Sequence, residues 1–462
     1  MRTLLRAAVL ALCALPALPA LALERIRFWH AMDGALGIEL DALVARFNAS
    51  QKDVEVAAVF KGRYDGLLQA ALAPRTAGTG PHIVQIYDLG TAQMITARGL
   101  VRPVWRVLAE AGEAARADAY LPAVASYFSD SSGRLLALPF NSSTPVLYYN
   151  KEHFRRAKLD PHKPPRTWYE LPGTLGELRE SGSECPYASA WPTWVHLENT
   201  SAWHNQEFAT RHNGFDGHDV RLSFNTQLTV RHVSMLSSWV KSRYYIPAGR
   251  EDEAERRFVR GECSVLTASS ASYAALAATP GLEFGVAPLP YYDDWAGAPY
   301  NTLVGGAGLW VLSGASRLEY RGAARFLAYL MRPENQAEWH QKTGYVPVTR
   351  AAYEFSAKQG FYKTHPSHEI AILQLIAKNT ARDARGIRLG PFDKIRAIID
   401  EELESVWNEK KTPKDALDSA VERGNVLLRT FERAHASGGG VERAGGPRGE
   451  VRRPAMRGAN HK

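Results

Sequence analysis

The chain has 462 residues, of which 45% are hydrophobic and 23% are charged, as expected of a globular protein with a large buried core. Its formal charge of +8 lies mainly at the two ends. The first 22 residues contain Arg2 and Arg6, and the segment after His435 carries six Lys or Arg against two Glu. The remaining body is therefore close to neutral, which argues against nucleic acid as a partner.

The N-terminus has the pattern of a cleavable secretory signal. Arg2 and Arg6 flank the start of an apolar run that is too short to span a bilayer, and small residues follow it up to Ala22. We predict cleavage after Ala22 and a mature protein that functions outside the cytoplasm. A lipoprotein anchor at Cys13 is the alternative, although Leu12 stands where lipoprotein processing requires a small residue.

After the signal, strand patterns alternate with helical patterns. Strands are predicted at Ile26–His30, Val54–Phe60 and Ile83–Tyr87, and helices are predicted between them, from Ile38 to Phe47 and at Leu67–Leu72. Strands separated by helices of this length predict an α/β fold with a mainly parallel sheet and helices on both faces.

The pattern becomes irregular after Pro139, which favours two lobes. Further strands are predicted at Pro145–Asn150, Cys263–Thr267 and Phe284–Leu289, and a helix at Leu228–Val240. An apolar stripe predicts a last helix that ends near Phe431. Residues 436–462 are rich in Gly, Pro and Arg and almost free of apolar side chains, which predicts disorder; a basic interaction tail is the alternative.

Two cysteines remain after Cys13 is removed with the signal. Cys185 and Cys263 form an even pair in an oxidising compartment, which is consistent with one disulfide. Two buried thiols are the alternative, because a sequence does not reveal the distance between two Cα atoms.

Catalytic and metal-binding signatures are not found. The sequence contains no HExxH, GxSxG, CxxC or GxxxxGK motif, and its 14 histidines are scattered. We therefore predict no catalytic residues, no metal and no cofactor.

Three polar segments instead suit an anion. Gly305-Gly306-Ala307-Gly308 precedes a strand-like run, and successive glycines allow backbone N–H groups to converge on a ligand oxygen, although such a segment is commonly only a turn. The segment 141–144 offers hydroxyl donors at a chain crossing. Ser269 and Ser270 stand at an expected helix start, where serine either attracts an anion or caps the helix.

Arg396 lies on a helix predicted from Pro391 to Trp407. A rotation of about 100° per residue places it beside Phe392 and other members of an apolar stripe. A partly buried guanidinium requires an acceptor, and this is either Asp400, one turn further on, or a bound phosphate.

Two tryptophans occur in a Gly/Pro-broken segment. Trp191 and Trp194 are separated by two residues in ASAWPTWVHLEN. Core packing is the usual role of Trp, but an irregular segment with two of them also suits the wall of a ligand cleft.

Several segments resemble a known family. PFNSSTPVLYYN, YASAWPTWVHLEN, AEWHQKTGYVP, GIRLG and DEELESVWNEKKTP are similar to segments of the periplasmic sn-glycerol-3-phosphate-binding proteins of ABC importers, which belong to extracellular solute-binding protein family 1. The resemblance runs from about Phe28 to Phe431 and leaves out the tail. It implies a two-lobed clamshell in which each lobe is a mainly parallel sheet flanked by helices. It also implies a monomeric receptor, not an enzyme, that delivers its ligand to a membrane permease.

The signal and the tail predicted from composition, together with the two lobes that the resemblance implies, divide the chain. Residues 1–22 are the signal peptide, 23–140 and 291–331 form the N-terminal lobe, 141–290 and 332–435 form the C-terminal lobe, and 436–462 form the tail.

Nine ligand contacts follow from the matching positions. The phosphate side is expected to be formed by Tyr64, Ser143, Ser269, Gly306, Tyr345 and Arg396, and the glycerol side by Trp191 and Trp194. Asp88 stands where the family usually has Glu to bind a ligand hydroxyl, so its side chain is one methylene shorter.

The expected ligand is sn-glycerol 3-phosphate, with glycerophosphodiesters such as glycerophosphocholine as further candidates. An oligosaccharide receptor of the same fold is the alternative, with more aromatic platforms and no Arg directed at the cleft. A periplasmic phosphodiesterase is a third hypothesis. Such an enzyme requires a metal cluster or an activated nucleophile.

Overall fold

The structure is a computed structural model that describes residues 23–74, 79–114, 116–378 and 385–435. The predicted signal peptide and the predicted disordered tail lie outside these residues. Within them the chain forms two sheets, each flanked by helices, and the predicted two-lobed α/β architecture is confirmed.

Ten strands occur in the described residues. In chain order they are β1 (Glu24–His30), β2 (Val54–Phe60), β3 (Ile83–Tyr87), β4 (Val101–Arg102), β5 (Leu138–Ser143), β6 (Pro145–Asn150), β7 (Cys185–Ser189), β8 (Cys263–Ser269), β9 (Phe284–Pro288) and β10 (Gly305–Leu312). The strands predicted from the sequence therefore all form.

The helices of the described residues cover both faces of the sheets. They are α1 (Gly34–Ser50), α2 (Tyr64–Leu72), α3 (Thr91–Thr96), α4 (Val104–Glu110), α5 (Pro122–Phe128), α6 (Lys151–Arg156), α7 (Leu171–Glu180), α8 (Thr200–Trp203), α9 (Thr210–Gly214, a left-handed turn), α10 (Gln227–Lys241), α11 (Glu253–Val259), α12 (Tyr273–Ala277), α13 (Arg317–Leu330), α14 (Pro333–Thr343), α15 (Arg350–Lys358), α16 (Phe361–Thr364), α17 (Ser367–Ile376), α18 (Phe392–Trp407) and α19 (Pro413–His435).

Helix α1 forms where the spacing of apolar residues predicted a helix. Leu40, Leu43, Val44 and Phe47 recur at helical spacing, and all four are buried against the first sheet. The core on this side of the molecule therefore forms from residues that the sequence pattern had already placed on one helix face.

The prediction of mainly parallel sheets is wrong beyond the first strands. In the first sheet, ordered β2-β1-β3-β10-β4, β1 is parallel to β2 and β3, but β10 is antiparallel to β3, β4 and β5. In the second sheet, ordered β7-β8-β6-β9, β7 and β8 are parallel, and β6 is antiparallel to β8 and β9. The reason is that β6 and β10 enter their sheets from the other lobe. They start at the inter-lobe edge, where β3, β5 and β8 end.

Two of the chain segments that cross between the lobes are hydrogen-bonded to each other. Thr144 alone separates β5 from β6, and Thr302 lies on the crossing from β9 to β10. Both residues are fully buried, and the Thr144 hydroxyl lies 2.6 Å from the Thr302 hydroxyl and 3.0 Å from the carbonyl oxygen of Leu303. The predicted lobe boundaries after residues 140, 290 and 331 stay predictions.

The two cysteines form a disulfide. Cys185 and Cys263 are register partners in the parallel pair β7–β8, with their Cα atoms 4.5 Å apart, and their sulfur atoms are bonded. Of the two readings of the sequence, the disulfide is therefore the one that the structure supports.

None of the helices in the described ranges has the length and apolarity needed to cross a bilayer.

Candidate functional site

A cleft of about 710 Å³ opens between the two sheets. All nine residues that the sequence analysis singled out line it, namely Tyr64, Asp88, Ser143, Trp191, Trp194, Ser269, Gly306, Tyr345 and Arg396. They are spread over more than 330 positions of sequence and come from both lobes. Their individual contacts with a ligand stay predictions.

The glycine segment is part of a strand and not a free turn. Gly306 has a φ of +118°, and a Cβ there would lie 2.0 Å from the carbonyl oxygen of Asn141, so no other residue fits. A Cβ on Gly305 would lie 2.9 Å from the ring of Trp194. The backbone N–H of Gly306 is hydrogen-bonded to the Asp88 carboxylate. The glycines therefore bring the floor of the cleft close to Trp194 and Asp88.

The partly buried Tyr64 and the buried Tyr345 form a polar patch around Asn141 on β5 of the first sheet. The Asn141 side chain donates to the Tyr64 hydroxyl at 3.1 Å, and Asn141 itself accepts from Gln85 at 2.9 Å. Tyr345 is also buried and hydrogen-bonds both Tyr64 and Asn141. Burial raises the pKa of Tyr64 to about 12, so its hydroxyl keeps its proton over the whole physiological range. Asn141 was recognised in the sequence as part of a polar segment, but Gln85 was missed because it lies within an apolar strand.

Two serines present hydroxyls where strands end. Ser143 ends β5, and Ser269 ends β8, where its oxygen accepts the backbone N–H of Ala271 at 3.1 Å. The capping role that serine commonly plays is thus confirmed for Ser269. The helical turn that follows is short, so the Ser269 hydroxyl proton, and not a helix dipole, is what this position offers to a ligand.

The tryptophans form the wall of the second lobe. Trp191 has a φ of +50°, which is uncommon for a bulky residue and is held by a hydrogen bond from its N–H to the carbonyl of Glu251. Trp194 is 5% exposed, and its indole Nε1 has no hydrogen-bond partner within the described residues. An aromatic residue with a strained backbone, such as Trp191, is typical of the wall of a ligand-binding cleft.

Arg396 is paired with a residue that the sequence analysis missed. Its Nε and Nη2 donate to the two carboxylate oxygens of Glu198 at 2.9 and 2.8 Å. The prediction of an i,i+4 pair with Asp400 is wrong, because the Asp400 carboxylate accepts instead from the Thr193 hydroxyl at 2.5 Å. Glu198 lies on a π-helical segment, Trp194–Asn199, where no local pattern indicates which way its side chain points.

Two buried carboxyl groups, Asp88 and Asp400, and a partly buried one, Glu255, line the cleft. Burial raises the pKa of Asp88 to about 7, although the nearby Arg396 opposes the shift. Burial likewise raises the pKa of Asp400 and of Glu255 to about 7. These groups therefore change their charge close to neutral pH.

The lining as a whole is rich in acids. It contains four basic residues, Arg63, Arg250, Lys394 and Arg396, against eight acidic residues, Asp33, Asp65, Asp88, Glu251, Asp252, Glu255, Asp393 and Asp400. Arg63 pairs with Glu251 across the cleft, and Arg250 forms two hydrogen bonds to Glu404. Positive charge in the lining is thus local and largely paired.

The first turn of α1 also lines the cleft and was not singled out from the sequence. Residues 33–36 contribute to the wall, and the first backbone N–H groups of this 17-residue helix have no partner within the helix. The available signal was Asp33-Gly34, which stands between a predicted strand and a predicted helix.

Substitution of Asp400 by Asn should stabilise the protein at alkaline pH. The folded-state pKa of about 7 lies above the unfolded value, so the folded state retains a proton that the unfolded state has released. This difference in pKa lowers the free energy of unfolding by about 4 kcal/mol once the pH exceeds 7. The loss disappears below pH 4. We expect Asp400→Asn to raise the free energy of unfolding in urea by about 2–4 kcal/mol at pH 8 and by only about 1 kcal/mol or less at pH 4.5.

The matched control is Glu422→Gln on the exposed face of α19, which should change neither value. A gain for Asp400→Asn that is equal at both pH values would contradict the proposed cause.

The sequence matches a family model of bacterial extracellular solute-binding proteins over residues 42–369. The chain is 48% identical over 417 residues to the sn-glycerol-3-phosphate-binding periplasmic protein UgpB of Yersinia pestis, and this covers 90% of the chain and 95% of that protein. It is 47% identical over 419 residues to the protein of the same name from Salmonella typhimurium, with the same coverage of both chains.

Two solved structures have the same fold. UgpB from Mycobacterium tuberculosis in complex with glycerophosphocholine matches with a TM-score of 0.71 at 22% identity, over 88% of this chain and 98% of that one. A cyclic α-maltosyl-1,6-maltose binding protein from Arthrobacter globiformis matches with a TM-score of 0.69 at 23% identity, over 88% of this chain and all of that one. At these identities the likeness shows the fold alone.

Proposed function

Because this chain belongs to the bacterial extracellular solute-binding proteins, we propose that it is the periplasmic receptor of an ABC importer for sn-glycerol 3-phosphate and its diesters. The receptor binds its ligand without transforming it. The name and near-complete coverage of its 47–48% identical relatives support this ligand class.

The observation that carries the proposal is the convergence of phosphate-binding groups in one cleft. Arg396 supplies the guanidinium N–H groups that are not bonded to Glu198, and Tyr64, Ser143 and Ser269 supply hydroxyl donors. Removing a phosphate ester from water requires several such donors at once. A near-neutral body with one local set of donors meets this requirement.

Capture is proposed to proceed by closure of the lobes on the ligand. Tyr64 begins α2 and Ser143 ends β5 of the first sheet, whereas Ser269 ends β8 of the second sheet and Arg396 lies on α18. A ligand that contacts both sets favours the closed arrangement, which the permease then recognises. The secretory signal at residues 1–22 is the proposed route to the periplasm.

An oligosaccharide is the second candidate ligand. It is favoured by the aromatic lining of the cleft, which includes Trp191, Trp194 and the stacked rings of Tyr64 and Tyr87, whose centroids lie 5.4 Å apart. The cleft volume of about 710 Å³ would also accept a disaccharide.

Calorimetric titration of the mature protein separates the two. We expect sn-glycerol 3-phosphate or glycerophosphocholine to bind with a dissociation constant of about 1 μM or below, equivalent to about −8 kcal/mol. Maltose should give no binding heat. Binding of maltose without binding of either phosphate ester would overturn the proposal, and release of choline from glycerophosphocholine would establish a catalytic role instead.

A further inference from the structure

Asp400 is a buried carboxylate in the lining of the cleft. It is 7% exposed, and one of its oxygens, Oδ1, accepts from the Thr193 hydroxyl at 2.5 Å. The other oxygen, Oδ2, accepts no hydrogen bond from any residue in the part of the chain that the structure describes. A carboxylate oxygen that is removed from water needs a donor. A ligand in the cleft can supply that donor.

The basic groups nearest to Asp400 are bonded to other carboxylates. Arg396 donates to both carboxylate oxygens of Glu198. Arg250 donates twice to Glu404. Both guanidinium groups act on Asp400 only at longer range, and burial outweighs their attraction. A buried acid without a cation bonded to it lowers the stability of the fold, which is common where a side chain serves a ligand.

Asp400 lies one turn after Arg396 on α18. Four residues correspond to a rotation of about 40° beyond a full turn and to a rise of about 6 Å. The two side chains therefore lie on the same face of the helix, and both line the cleft. A ligand whose phosphate contacts Arg396 can thus extend the rest of its molecule along the helix toward Asp400.

The charge of Asp400 indicates which part of a phosphate ester it contacts. A carboxylate repels a phosphate group, and the lining offers the phosphate two basic residues, Arg396 and the exposed Lys394. A hydroxyl group, in contrast, donates to a carboxylate in a short, charge-assisted hydrogen bond. Asp400 therefore suits the alcohol part of the ligand.

We propose that Asp400 is a specificity-determining residue that accepts a hydrogen bond from a hydroxyl group of the ligand's glycerol moiety. This inference rests on the proposed function, since it concerns the alcohol part of the ligand in the same site. sn-Glycerol 3-phosphate has two hydroxyl groups, and Asp88 and Asp400 provide one carboxylate for each. Arg396 binds the phosphate of any such ester, and Asp400 selects those esters that carry hydroxyl groups.

Calorimetry at pH 8, where most of Asp400 is ionised, tests the inference with sn-glycerol 3-phosphate and propyl phosphate. Both ligands have a phosphate on a three-carbon chain, but propyl phosphate has no hydroxyl group. We expect the wild-type protein to bind sn-glycerol 3-phosphate at least about tenfold more tightly. This ratio should fall about threefold in Asp400→Asn, whose amide is a weaker acceptor, and about tenfold in Asp400→Leu, which has no acceptor.

The ratio separates the hydroxyl contact from a change in charge. Removal of a negative charge from the cleft affects the phosphate of both ligands alike, and this effect cancels in the ratio. Competition against sn-glycerol 3-phosphate extends the measurement to weak binding of propyl phosphate.

The matched control is Glu402→Gln. Glu402 is a buried carboxylate on the same helix, but it binds Lys411 and Arg423 and lies outside the cleft lining. Its substitution should leave the ratio unchanged. Thermal unfolding checks that each variant is folded. Because Asp400→Asn is expected to be more stable than the wild-type protein at this pH, a lower ratio in that variant does not come from damage to the fold.

Two results would overturn this inference alone. One is a ratio that stays constant in both Asp400→Asn and Asp400→Leu. The other is a wild-type protein that binds propyl phosphate as tightly as sn-glycerol 3-phosphate. Failure of the wild-type protein to bind sn-glycerol 3-phosphate would instead overturn the proposed function.

Discussion

Replacement of Arg396 by Ala should weaken the binding of both phosphate esters by about 100-fold or more, because truncating one partner of a buried charge-assisted hydrogen bond costs about 2–5 kcal/mol. Calorimetry with sn-glycerol 3-phosphate and glycerophosphocholine measures the loss. The effect comes from removal of a guanidinium that lines the cleft and has N–H groups not bonded to Glu198.

Two controls separate this effect from damage to the fold. Arg396→Ala leaves Glu198 buried without its partner, which is destabilising, so the double variant Arg396→Ala/Glu198→Gln should bind as poorly but unfold at a higher temperature. Arg423→Ala removes an arginine that binds Glu401 and Glu402 outside the cleft and should leave the affinity within twofold. Retained phosphate-ester binding in the double variant would show that Arg396 is not a ligand contact.

Loss of the disulfide should lower the free energy of unfolding by about 4 kcal/mol. The bond joins residues 78 positions apart, and opening a loop of that length restores chain entropy to the unfolded state. The double variant Cys185→Ala/Cys263→Ala removes two fully buried sulfur atoms and leaves methyl side chains, and urea unfolding followed by tryptophan fluorescence measures the change.

Reduction of the wild-type protein provides the control for this experiment. Dithiothreitol should shift the urea midpoint of the wild-type protein toward that of the double variant and should leave the variant unchanged. A loss below about 1 kcal/mol in the variant would contradict the entropic explanation.

The elements of the fold were predictable because hydrophobic periodicity is local. The strands at Val54–Phe60, Ile83–Tyr87 and Pro145–Asn150 form at the predicted bounds, and Arg396 lies beside the buried Phe392 on its helix as the rotation indicated. The direction of strand pairing was not predictable by the same means, because it depends on which lobe a strand enters from.

The site was predictable only in part, because contacts between residues far apart in sequence leave no local pattern. Arg396 was placed at the cleft, but its partner Glu198 lies 198 positions away, and no pattern within one helix reveals it. The raised pKa of Asp88 and of Asp400 depends on burial in the folded protein, which a sequence does not display. The disulfide required the register of β7 against β8, which only the folded sheet supplies.

The joined crossings at Thr144 and Thr302 have a consequence for the order of binding events. If the lobes pivot there, each atom moves in proportion to its distance from the axis. Ser143 is covalently attached to Thr144, and Gly305 lies opposite Ser143 in the β5–β10 ladder, so both remain almost stationary. The incoming solute is then expected to settle first on this fixed platform, before the more distant side chains swing in to enclose it.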